Sequence, residues 1–397
     1  MIKGRDIIVH GLQSLDSVIG SNCVDIAQFF SKDNRVLYVN YPIDRLTLMR
    51  HGSNPLIRKR KDILSGKQPD LVKVNDNLWN LNPKTTLESI SKITYRPIFS
   101  YLNKINNKRY TKQVQKAINE LSFKDYIIFN DSDFYRALFF KEFLNPALSV
   151  YYTRDNMRET DFFKKNGAFY EDQLMEKSDL IVSNSMYLND IAKKNNPNAI
   201  YVGQGCDVSL YNKELVTEIP EDIKSIISPV IGYIGALKSA RLSIEVLEHI
   251  ATSKPEWNVV LVGPEDEDFE KSNLHNIKNV HFLGSKNEKE LPKYLDAFDV
   301  ALNPQAINEL TIGNYPRKID EYLAMGKPVV ATLTETMKAF ADYTYLAKNK
   351  EEYIELIEKA LKEDSEELSK SRITYARTHT WENNVAAIYK AINNTFN

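Results

Sequence analysis

Cysteines, zinc-like ligand spacings and long apolar segments are scarce in this chain, and each absence excludes a class of protein. The 397 residues include only two cysteines, Cys23 and Cys206, far apart in the sequence. A disulfide framework is therefore excluded, and we expect reduced thiols in a cytoplasmic protein. No apolar run reaches the ~20 residues that a membrane-spanning helix needs. The first residues, Met-Ile-Lys-Gly-Arg-Asp, lack the apolar core of a signal peptide, so we expect none.

Net charge is also nearly absent, at −1 at pH 7, so no overall field attracts nucleic acid and we predict no nucleic-acid partner. The charge is nevertheless uneven. Residues 84–117 hold eight basic side chains against one acid, Glu88, and residues 58–61 form a second basic run. Such runs are commonly solvated surface. The functional alternative is contact with an anionic membrane surface or a phosphate-linked acceptor.

Short apolar runs alternate with helical stretches along the whole chain, which is typical of parallel sheets covered by helices. Strands are predicted at 6–10, 35–39, 71–75, 126–130, 148–152, 180–184, 199–203, 230–235, 257–262, 280–284, 298–303, 328–332 and 343–347. Helices are predicted at 21–31, 111–121, 170–178, 242–252, 288–297, 316–325, 351–361 and 381–395. The length and the two strand–helix series indicate an α/β protein with two Rossmann-like domains.

The domain boundary is predicted between Asp207 and Pro229, where the sequence is polar and lacks a long strand pattern. We therefore assign residues 1–215 to an N-terminal domain and residues 216–379 to a C-terminal domain. The final helix has apolar residues at helical spacing, which shows only that it is amphipathic.

Residues 314–332 carry the most informative pattern in the sequence. Pro316 suits a first helical position, because its missing N–H group costs nothing there. Ile319, Tyr322 and Leu323 form one apolar face, Gly326 suits a left-handed helix end, and a short buried strand follows. Glu321 is an acid early in this helix. Helix starts in α/β units lie near the carboxyl ends of the strands, where ligands bind.

This segment resembles the characteristic helix of GT-B glycosyltransferases, in particular the family 4 (group 1) enzymes. The resemblance implies a nucleotide-sugar cleft between two Rossmann-like domains, with residues 380–397 packing back on the N-terminal, acceptor-side domain. Glu321 stands where the family holds the ribose hydroxyls. Gly313 stands where the first glutamate of the family's Glu-x7-Glu motif is expected. The chain is thus similar to the subset that lacks this glutamate, although Glu309 lies nearby.

The resemblance also implies a donor-binding set in the C-terminal half. Its backbone and side-chain members are Gly235, Gly263, Ser285, Gly313, Asn314, Tyr315, Lys318 and Glu321. A glycine at a strand end followed by cations suits an anionic phosphate, so Lys238 and Arg241 are predicted to stabilise the leaving diphosphate. Ala236 replaces an arginine that is common in the family. The competing interpretation of Lys238 and Arg241 is a pair of exposed helix-start cations.

In the N-terminal half, polar residues follow three predicted strands. The Gly20-Ser21 loop resembles the first-strand loop of GT-B enzymes, and no dinucleotide-binding Gly-x-Gly-x-x-Gly pattern is present. Asp131 and Asp155 follow later strands. Asp155 resembles the last acid of a family segment and is predicted to be catalytic, whereas a turn or a helix cap explains either aspartate equally well.

The predicted function is a hexosyltransferase that moves a sugar from a UDP- or GDP-sugar to a saccharide or lipid-linked acceptor in cell-surface polysaccharide biosynthesis. Retention, independence of metals and the absence of a cofactor are implied by the family. The predicted location is cytoplasmic, with peripheral contact at the inner face of the membrane. Three alternatives remain: an inverting transferase with Asp131, Asp133 or Asp155 as its base, a nucleotide-sugar epimerase, and a non-catalytic GT-B partner subunit.

Overall fold

Two parallel-stranded α/β units make up the computed structural model, which describes residues 2–17, 21–50, 54–160 and 162–396. Unit 1 comprises Met1–Gly203 and Asn384–Asn397, and unit 2 comprises Gln204–Asn383. Each unit has its own sheet with apolar clusters on both faces. The predicted fold class, two α/β domains with parallel sheets, is confirmed.

The strands of unit 1 pair in the order β3-β4-β2-β1-β5-β6-β7-β8, and all described neighbours except β3 and β4 are parallel. The strands are β1 (Asp6–Gly11), β2 (Arg35–Val39), β3 (Leu71–Lys73), β4 (Leu78–Leu81), β5 (Ile127–Asp131), β6 (Leu148–Thr153), β7 (Leu180–Ser183) and β8 (Ala199–Tyr201). The helices are α1 (Asn22–Phe30), α2 (Arg45–Arg50), α3 (Pro55–Leu64), α4 (Arg96–Leu121), α5 (Phe140–Leu144), α6 (Gly167–Lys177) and α7 (Met186–Asn195), with a 3-10 turn at Met157–Glu159.

The strands of unit 2 are all parallel and pair in the order β11-β10-β9-β12-β13-β14. They are β9 (Val230–Ile234), β10 (Asn258–Val262), β11 (Val280–Gly284), β12 (Val300–Asn303), β13 (Val329–Thr332) and β14 (Tyr345–Ala347). The helices are α8 (Glu221–Lys224), α9 (Ile244–Ser253), α10 (Glu267–Glu270), α11 (Leu291–Asp296), α12 (Lys318–Ala324), α13 (Lys350–Glu363) and α14 (Glu366–Ala376), and only the first residues of α15 (Trp381–Phe396) belong to this unit. Short 3-10 turns lie at Lys213–Leu215, Asn273–Asn276, Glu288–Glu290 and Thr336–Phe340.

Helix α15 starts in unit 2 and continues into unit 1. Its later residues belong to the core of unit 1, where the Tyr389 ring stacks on Phe30 with ring centroids 5.3 Å apart. The Tyr389 hydroxyl also accepts a hydrogen bond from Asn34 Nδ2 at 2.9 Å. Among the described residues, no helix combines the length and the apolar character that crossing a bilayer requires.

Helix α12 largely confirms its prediction. Ile319, Tyr322 and Leu323 are fully buried, and burial of the Ile319 and Leu323 side chains contributes about 1.5–3 kcal/mol each. Gly326 has a left-handed φ of 71°. Its N–H donates to Leu323 O and the Lys327 N–H donates to Tyr322 O, which is the Schellman arrangement. The predicted start was wrong: α12 begins at Lys318, because Pro316 lies in a tighter turn in which its carbonyl accepts from the Ile319 N–H.

Two segments of unit 1 differ from the prediction. The strand predicted at 71–75 ends at Lys73 and pairs antiparallel with β4, which the sequence did not indicate. The helix predicted at 111–121 is the last part of α4, which begins at Arg96. Its first half buries Asn103, Asn106 and Asn107. Buried asparagines hide the apolar periodicity from which helices are predicted.

Candidate functional site

The loops after β9 and β12 leave the sheet of unit 2 at the point where the strand order reverses. Ligands of open parallel sheets bind at this switch point, at the carboxyl ends of the strands. The two loops are tied together by an antiparallel bridge between Leu242 and Gln305. The Ala306 N–H donates to Arg241 O at 3.0 Å, and the Ser243 N–H donates to Pro304 O at 2.9 Å. These backbone contacts hold the two loops side by side.

Two predicted glycines meet at this point. Gly235 has φ 144° and Gly263 has φ 151°, both in the region that favours glycine. A Cβ on Gly263 would lie 1.9 Å from Gly235 O, so no other residue fits. A Cβ on Gly235 would lie 3.2 Å from the Cε atom of Lys318. The structure thus brings the three predicted residues Gly235, Gly263 and Lys318 together at the end of β9.

Helix α12 is pinned to the end of β9. The Tyr322 hydroxyl accepts from the Ile234 N–H at 2.9 Å and donates to Ile234 O at 3.2 Å. Ile234 precedes Gly235 and Tyr322 follows Glu321, so these hydrogen bonds connect the segments that carry the two predicted residues. The Glu321 side chain is 17% exposed and lies 3.9 Å from the Arg317 guanidinium.

Glu321 is held in a partly desolvated position. Burial raises the pKa of its carboxyl, although Arg317, Lys318 and a hydrogen bond from the Tyr211 hydroxyl oppose the shift. A carboxylate of this kind accepts hydrogen bonds from neutral hydroxyl groups, and cations beside it limit the cost of its charge. These properties fit the predicted contact with ribose.

The loop before α12 contains a polar side chain without partners. Asn314 is 7% exposed, and neither its Oδ1 nor its Nδ2 atom has a hydrogen-bond partner among the described residues. Buried polar atoms of native proteins are nearly always hydrogen-bonded, so an orphan calls for a ligand or a water. Gly313 is also buried. The Tyr315 hydroxyl, in contrast, donates to Asp320 Oδ2 at 2.9 Å, so it supports the site from within the protein.

The two predicted catalytic cations, Lys238 and Arg241, lie on the loop after β9 and are exposed. Within the described ranges neither forms an ion pair. The Ser239 hydroxyl, between Lys238 and Arg241 in the sequence, lies within hydrogen-bonding distance of the carboxylates of Asp266 and Asp268. Two acidic side chains therefore lie beside the loop that carries the two cations. Ser285 follows β11 at the sheet edge and is exposed, and no described contact joins it to the other predicted residues.

Unit 1 also presents predicted residues at a switch point, between β1 and β5. Asp131 ends β5 opposite Gly11 of β1 and is fully buried. Arg154 Nε lies 2.9 Å from Asp131 Oδ1, and Arg154 Nη1 lies 2.9 Å from Asp155 Oδ2. One guanidinium therefore joins the two predicted aspartates. Ser21 is buried and its hydroxyl has no partner among the described residues; Gly20 lies outside them.

Asp133, the remaining candidate base, is committed to internal contacts. It is fully buried between Arg136 Nη1 at 2.7 Å and His10 Nε2 at 3.2 Å. Burial alone would raise the pKa of this carboxyl, but Arg136 and His10 outweigh burial and hold the pKa well below its usual range. A base so weak and so enclosed is poorly suited to remove a proton from an acceptor.

Family comparison identifies the segment that carries the unit 2 site. Residues 228–363 match the family model described as Glycosyl transferases group 1. We call these residues the group 1 segment. The group 1 segment contains every predicted donor-binding residue, together with Lys238 and Arg241.

One relative is TuaH of Bacillus subtilis (strain 168), which is named as a teichuronic acid biosynthesis glycosyltransferase. It is 28% identical over 233 residues, which are 56% of this chain and 58% of TuaH. The matched region thus spans less than two thirds of that relative.

Solved structures resemble the whole chain in fold. Sucrose-phosphate synthase from Thermosynechococcus elongatus has a TM-score of 0.71 at 12% identity, with 99% of both chains covered. Anabaena HepE, solved in complex with UDP, has a TM-score of 0.66 at 13% identity, covering 98% of this chain and 100% of HepE. At these identities the likeness establishes the GT-B fold.

Several residues around the group 1 segment were missed in the sequence. Tyr211 donates to Glu321 from the segment assigned to the domain boundary. Asp320, fully buried, accepts hydrogen bonds from Tyr315 and pairs with His379 Nδ1 at 2.7 Å. Nothing in the spacing of Asp320 and His379, 59 residues apart, indicated this contact. Over the described ranges, no group of three or more His, Cys, Asp or Glu side chains is arranged to hold a metal ion.

Proposed function

We propose that this protein is a glycosyltransferase that moves a hexose from a UDP- or GDP-sugar to a saccharide or lipid-linked acceptor in cell-surface polysaccharide biosynthesis. The observation that carries the proposal is the meeting of Gly235, Gly263 and Lys318 at the switch point of unit 2, with Glu321 on the same helix as Lys318 and close enough for that lysine to lower its pKa. The orphaned amide of Asn314 in the adjoining loop supports it. The name of TuaH supports the pathway, and the complex of HepE with UDP supports a nucleotide donor.

In the proposed reaction, Glu321 accepts hydrogen bonds from the ribose hydroxyls and thereby orients the donor. The glycines let the pyrophosphate approach the backbone beside Lys318. Lys238 and Arg241 stabilise the negative charge that develops on the leaving diphosphate. The acceptor hydroxyl gives its proton to that diphosphate on the face from which it departs, so the configuration is retained without a protein nucleophile. The cations take the place of a metal ion, and no cofactor takes part.

Thermal unfolding with a panel of UDP, GDP, ADP and their sugars tests the donor site. A ligand at 100 times its Kd adds about 2.7 kcal/mol of stability to the state that binds it. We expect one nucleotide to raise the Tm of the wild type and Glu321→Ala to abolish the shift. Glu335→Ala is the matched control, because Glu335 is an exposed glutamate of unit 2 paired only with Lys338 in the described contacts. If no nucleotide shifts the wild type, a non-catalytic subunit is the better explanation.

Products distinguish the enzymatic alternatives. With the nucleotide identified, nuclear magnetic resonance of the reaction mixture should show nucleoside diphosphate release that depends on an added saccharide acceptor, with the anomeric configuration of the donor kept. Conversion of the nucleotide sugar into its epimer without acceptor would instead identify an epimerase, and a product of opposite configuration an inverting transferase.

The proposed peripheral membrane contact is at the start of α4. Tyr95 is 64% exposed, Ile98 52% and Tyr101 69%, and exposed Arg96 and Lys104 flank them. Aromatic and aliphatic groups beside cations suit an interface of anionic lipid. The second basic run is a weaker candidate, because Lys59 and Arg60 pair with Asp16.

Co-sedimentation with vesicles tests this contact. We expect binding to vesicles containing phosphatidylglycerol and little binding to pure phosphatidylcholine, with Tyr101→Ala and Lys104→Glu each weakening the former. Lys289→Glu, an exposed lysine of unit 2, is the control and should bind like the wild type. Equal binding to both vesicle types would contradict the proposal.

A further inference from the structure

Unit 1 contains a cavity that the donor site leaves unexplained. It has a volume of about 230 Å³ and lies between the loops that follow β2, β4 and β5 and the buried side of α4. Its lining includes Tyr41, Asp44, Ser89, Asn103, Arg136 and Phe162. This volume is below the ~300–1,000 Å³ typical of sites for drug-sized ligands. The cavity is thus too small for a nucleotide sugar and fits a group of about one ring.

One buried donor in the cavity wall is unsatisfied. Asn103 is 1% exposed, and its Nδ2 atom has no hydrogen-bond partner among the described residues. Its neighbour Asn106 is fully engaged, because Asn106 accepts from the Glu88 N–H at 2.8 Å and donates to Glu88 O at 3.0 Å. Asn106 therefore fixes the loop, while Asn103 keeps an amide donor for an occupant.

Arg136 presents further donors from a fixed position. Asp133 accepts from Arg136 Nη1 at 2.7 Å and from the Arg136 backbone N–H at 3.0 Å. The guanidinium lies 4.6 Å from the Tyr41 ring centroid and 5.2 Å from that of Phe162. Both rings lie within cation–π distance of the guanidinium. A guanidinium carries five N–H donors in its plane, so donors other than the one bound to Asp133 remain for a pair of adjacent oxygens.

The charges around the cavity determine whether it favours anionic groups or uncharged hydroxyl groups of a ligand. Arg136 is balanced by Asp133, and Glu88 is balanced by Arg45 at 3.2 Å and Arg109 at 2.7 Å. Asp44 adds a negative charge, because hydrogen bonds from Ser89 and Thr47 outweigh burial and lower the pKa of its carboxyl. No positive charge is left in excess, so a phosphate or carboxylate gains little here, whereas uncharged hydroxyl groups find both donors and acceptors.

We propose that this cavity binds an uncharged sugar unit of the acceptor, with its ring against Phe162 and its hydroxyl groups on Asn103, Arg136 and Asp44. That the bound sugar is an acceptor rests on the proposed transferase function. The binding of the sugar in this cavity does not depend on the nucleotide site. Aromatic rings pack on the C–H face of a sugar, and the polar atoms on the wall fix its orientation.

Saturation-transfer nuclear magnetic resonance on the full chain tests the proposal, with glucose, galactose, N-acetylglucosamine, glucuronate and inorganic phosphate as probes. We expect signal from at least one uncharged sugar, its loss in Phe162→Ala, and its retention in Phe169→Ala. The two phenylalanines are matched, at 38% and 40% exposed, but Phe169 lies outside the cavity wall. Absence of sugar signal from the wild type, equal signal in the two variants, or binding of glucuronate or phosphate alone would overturn it.

Asn103→Leu separates a binding role from a structural one. The variant removes the unsatisfied Nδ2 donor together with the Oδ1 atom, which accepts from Asn107 Nδ2 at 3.3 Å. Asn107 Nδ2 keeps the backbone oxygens of Asn103 and Tyr135, both at 2.9 Å, so the Tm should stay constant or rise while the sugar signal is lost. A fall in Tm with the sugar signal kept would make Asn103 a structural residue and overturn its assignment. The nucleotide panel tests the donor site independently. If no nucleotide shifts the Tm of the wild type but Phe162→Ala still loses the sugar signal, the donor site is refuted and the sugar site in this cavity is supported.

Discussion

At the scale of single residues, Glu321 is a carboxyl group whose burial is only partly compensated by its neighbours. Its carboxyl is largely removed from water, and its pKa is raised by that burial. Its partners Arg317, Lys318 and Tyr211 reduce the cost of the charge without cancelling it. A group kept at a cost to stability is commonly one that a ligand completes.

The raised pKa predicts how nucleotide affinity depends on pH. The ionised carboxylate accepts hydrogen bonds from ribose, so affinity should be full above the folded-state pKa and should fall as the pH drops through it. Because that pKa is raised, the loss should begin above the pKa of ~4.3 of a free glutamate. Calorimetric titration between pH 5 and 8 measures the profile.

Glu321→Gln gives the corresponding control, because an amide does not titrate in this range. The variant should bind more weakly and with a flatter profile, while Glu335→Gln should keep the slope of the wild type. Parallel profiles in the wild type and Glu321→Gln would assign the pH dependence to another group. Without ligand, Glu321→Gln should be more stable at pH 7, because the raised pKa means that ionised Glu321 costs stability above it.

At the scale of elements, helix α12 is fixed at both ends by contacts outside the apolar face. Gly326 closes its carboxyl end in the left-handed conformation. Near its start, the fully buried Asp320 accepts from the Tyr315 hydroxyl and pairs with His379, which precedes α15. Burial raises the pKa of Asp320, although the hydrogen bonds with His379 and Tyr315 oppose the shift. The position of Glu321 therefore depends on its neighbour.

We predict that His379→Ala lowers the free energy of unfolding by ~1–3 kcal/mol, because it leaves a buried carboxyl with one partner fewer. Nucleotide affinity should fall with it, since the start of α12 loses its anchor. Urea unfolding and calorimetric titration provide the two measurements. Tyr315→Phe should have a smaller effect.

His275→Ala is the matched control, because His275 pairs with Glu265 where its side chain is 38% exposed. An exposed pair contributes ~0–1 kcal/mol. Equal losses in His275→Ala and His379→Ala would show that the Asp320 contact has no special role.

At the scale of the whole molecule, the two units have separate apolar cores. The clusters of unit 1 are built on residues such as Phe99 and Tyr110, and those of unit 2 on residues such as Tyr322 and Tyr353. Chains with several cores commonly unfold in more than one step. The proposed nucleotide site lies in one unit and the proposed sugar cavity in the other.

Tryptophan fluorescence can follow each unit during urea unfolding, because Trp79 lies in unit 1 and Trp257 in unit 2. With Trp381 replaced by Phe, variants that keep only Trp79 or only Trp257 report on one unit each. The nucleotide at 100 times its Kd should raise the stability reported by Trp257 by about 2.7 kcal/mol and that reported by Trp79 by less. Equal shifts would mean that the units unfold together.

Most of the strands and the helix α12 could be predicted from the amino-acid sequence. The strand pattern, the apolar face of Ile319, Tyr322 and Leu323, and the left-handed Gly326 depend on interactions between near neighbours in the chain, so their periodicity is visible in the sequence. Family resemblance then singled out Glu321 and the glycines, whose close approach the structure explains.

Contacts between residues far apart in the sequence became visible only in the folded structure. The order of the strands places the loop of Gly235 beside that of Gln305. The pairs Asp320–His379 and Asp131–Arg154, and the cavity lined by Asn103, Arg136 and Phe162, join segments far apart in the chain. The spacing of residues in the sequence does not predict such contacts, because they form only when packing of the cores brings the segments together. An asparagine that becomes buried cannot be distinguished in the sequence from one on the surface.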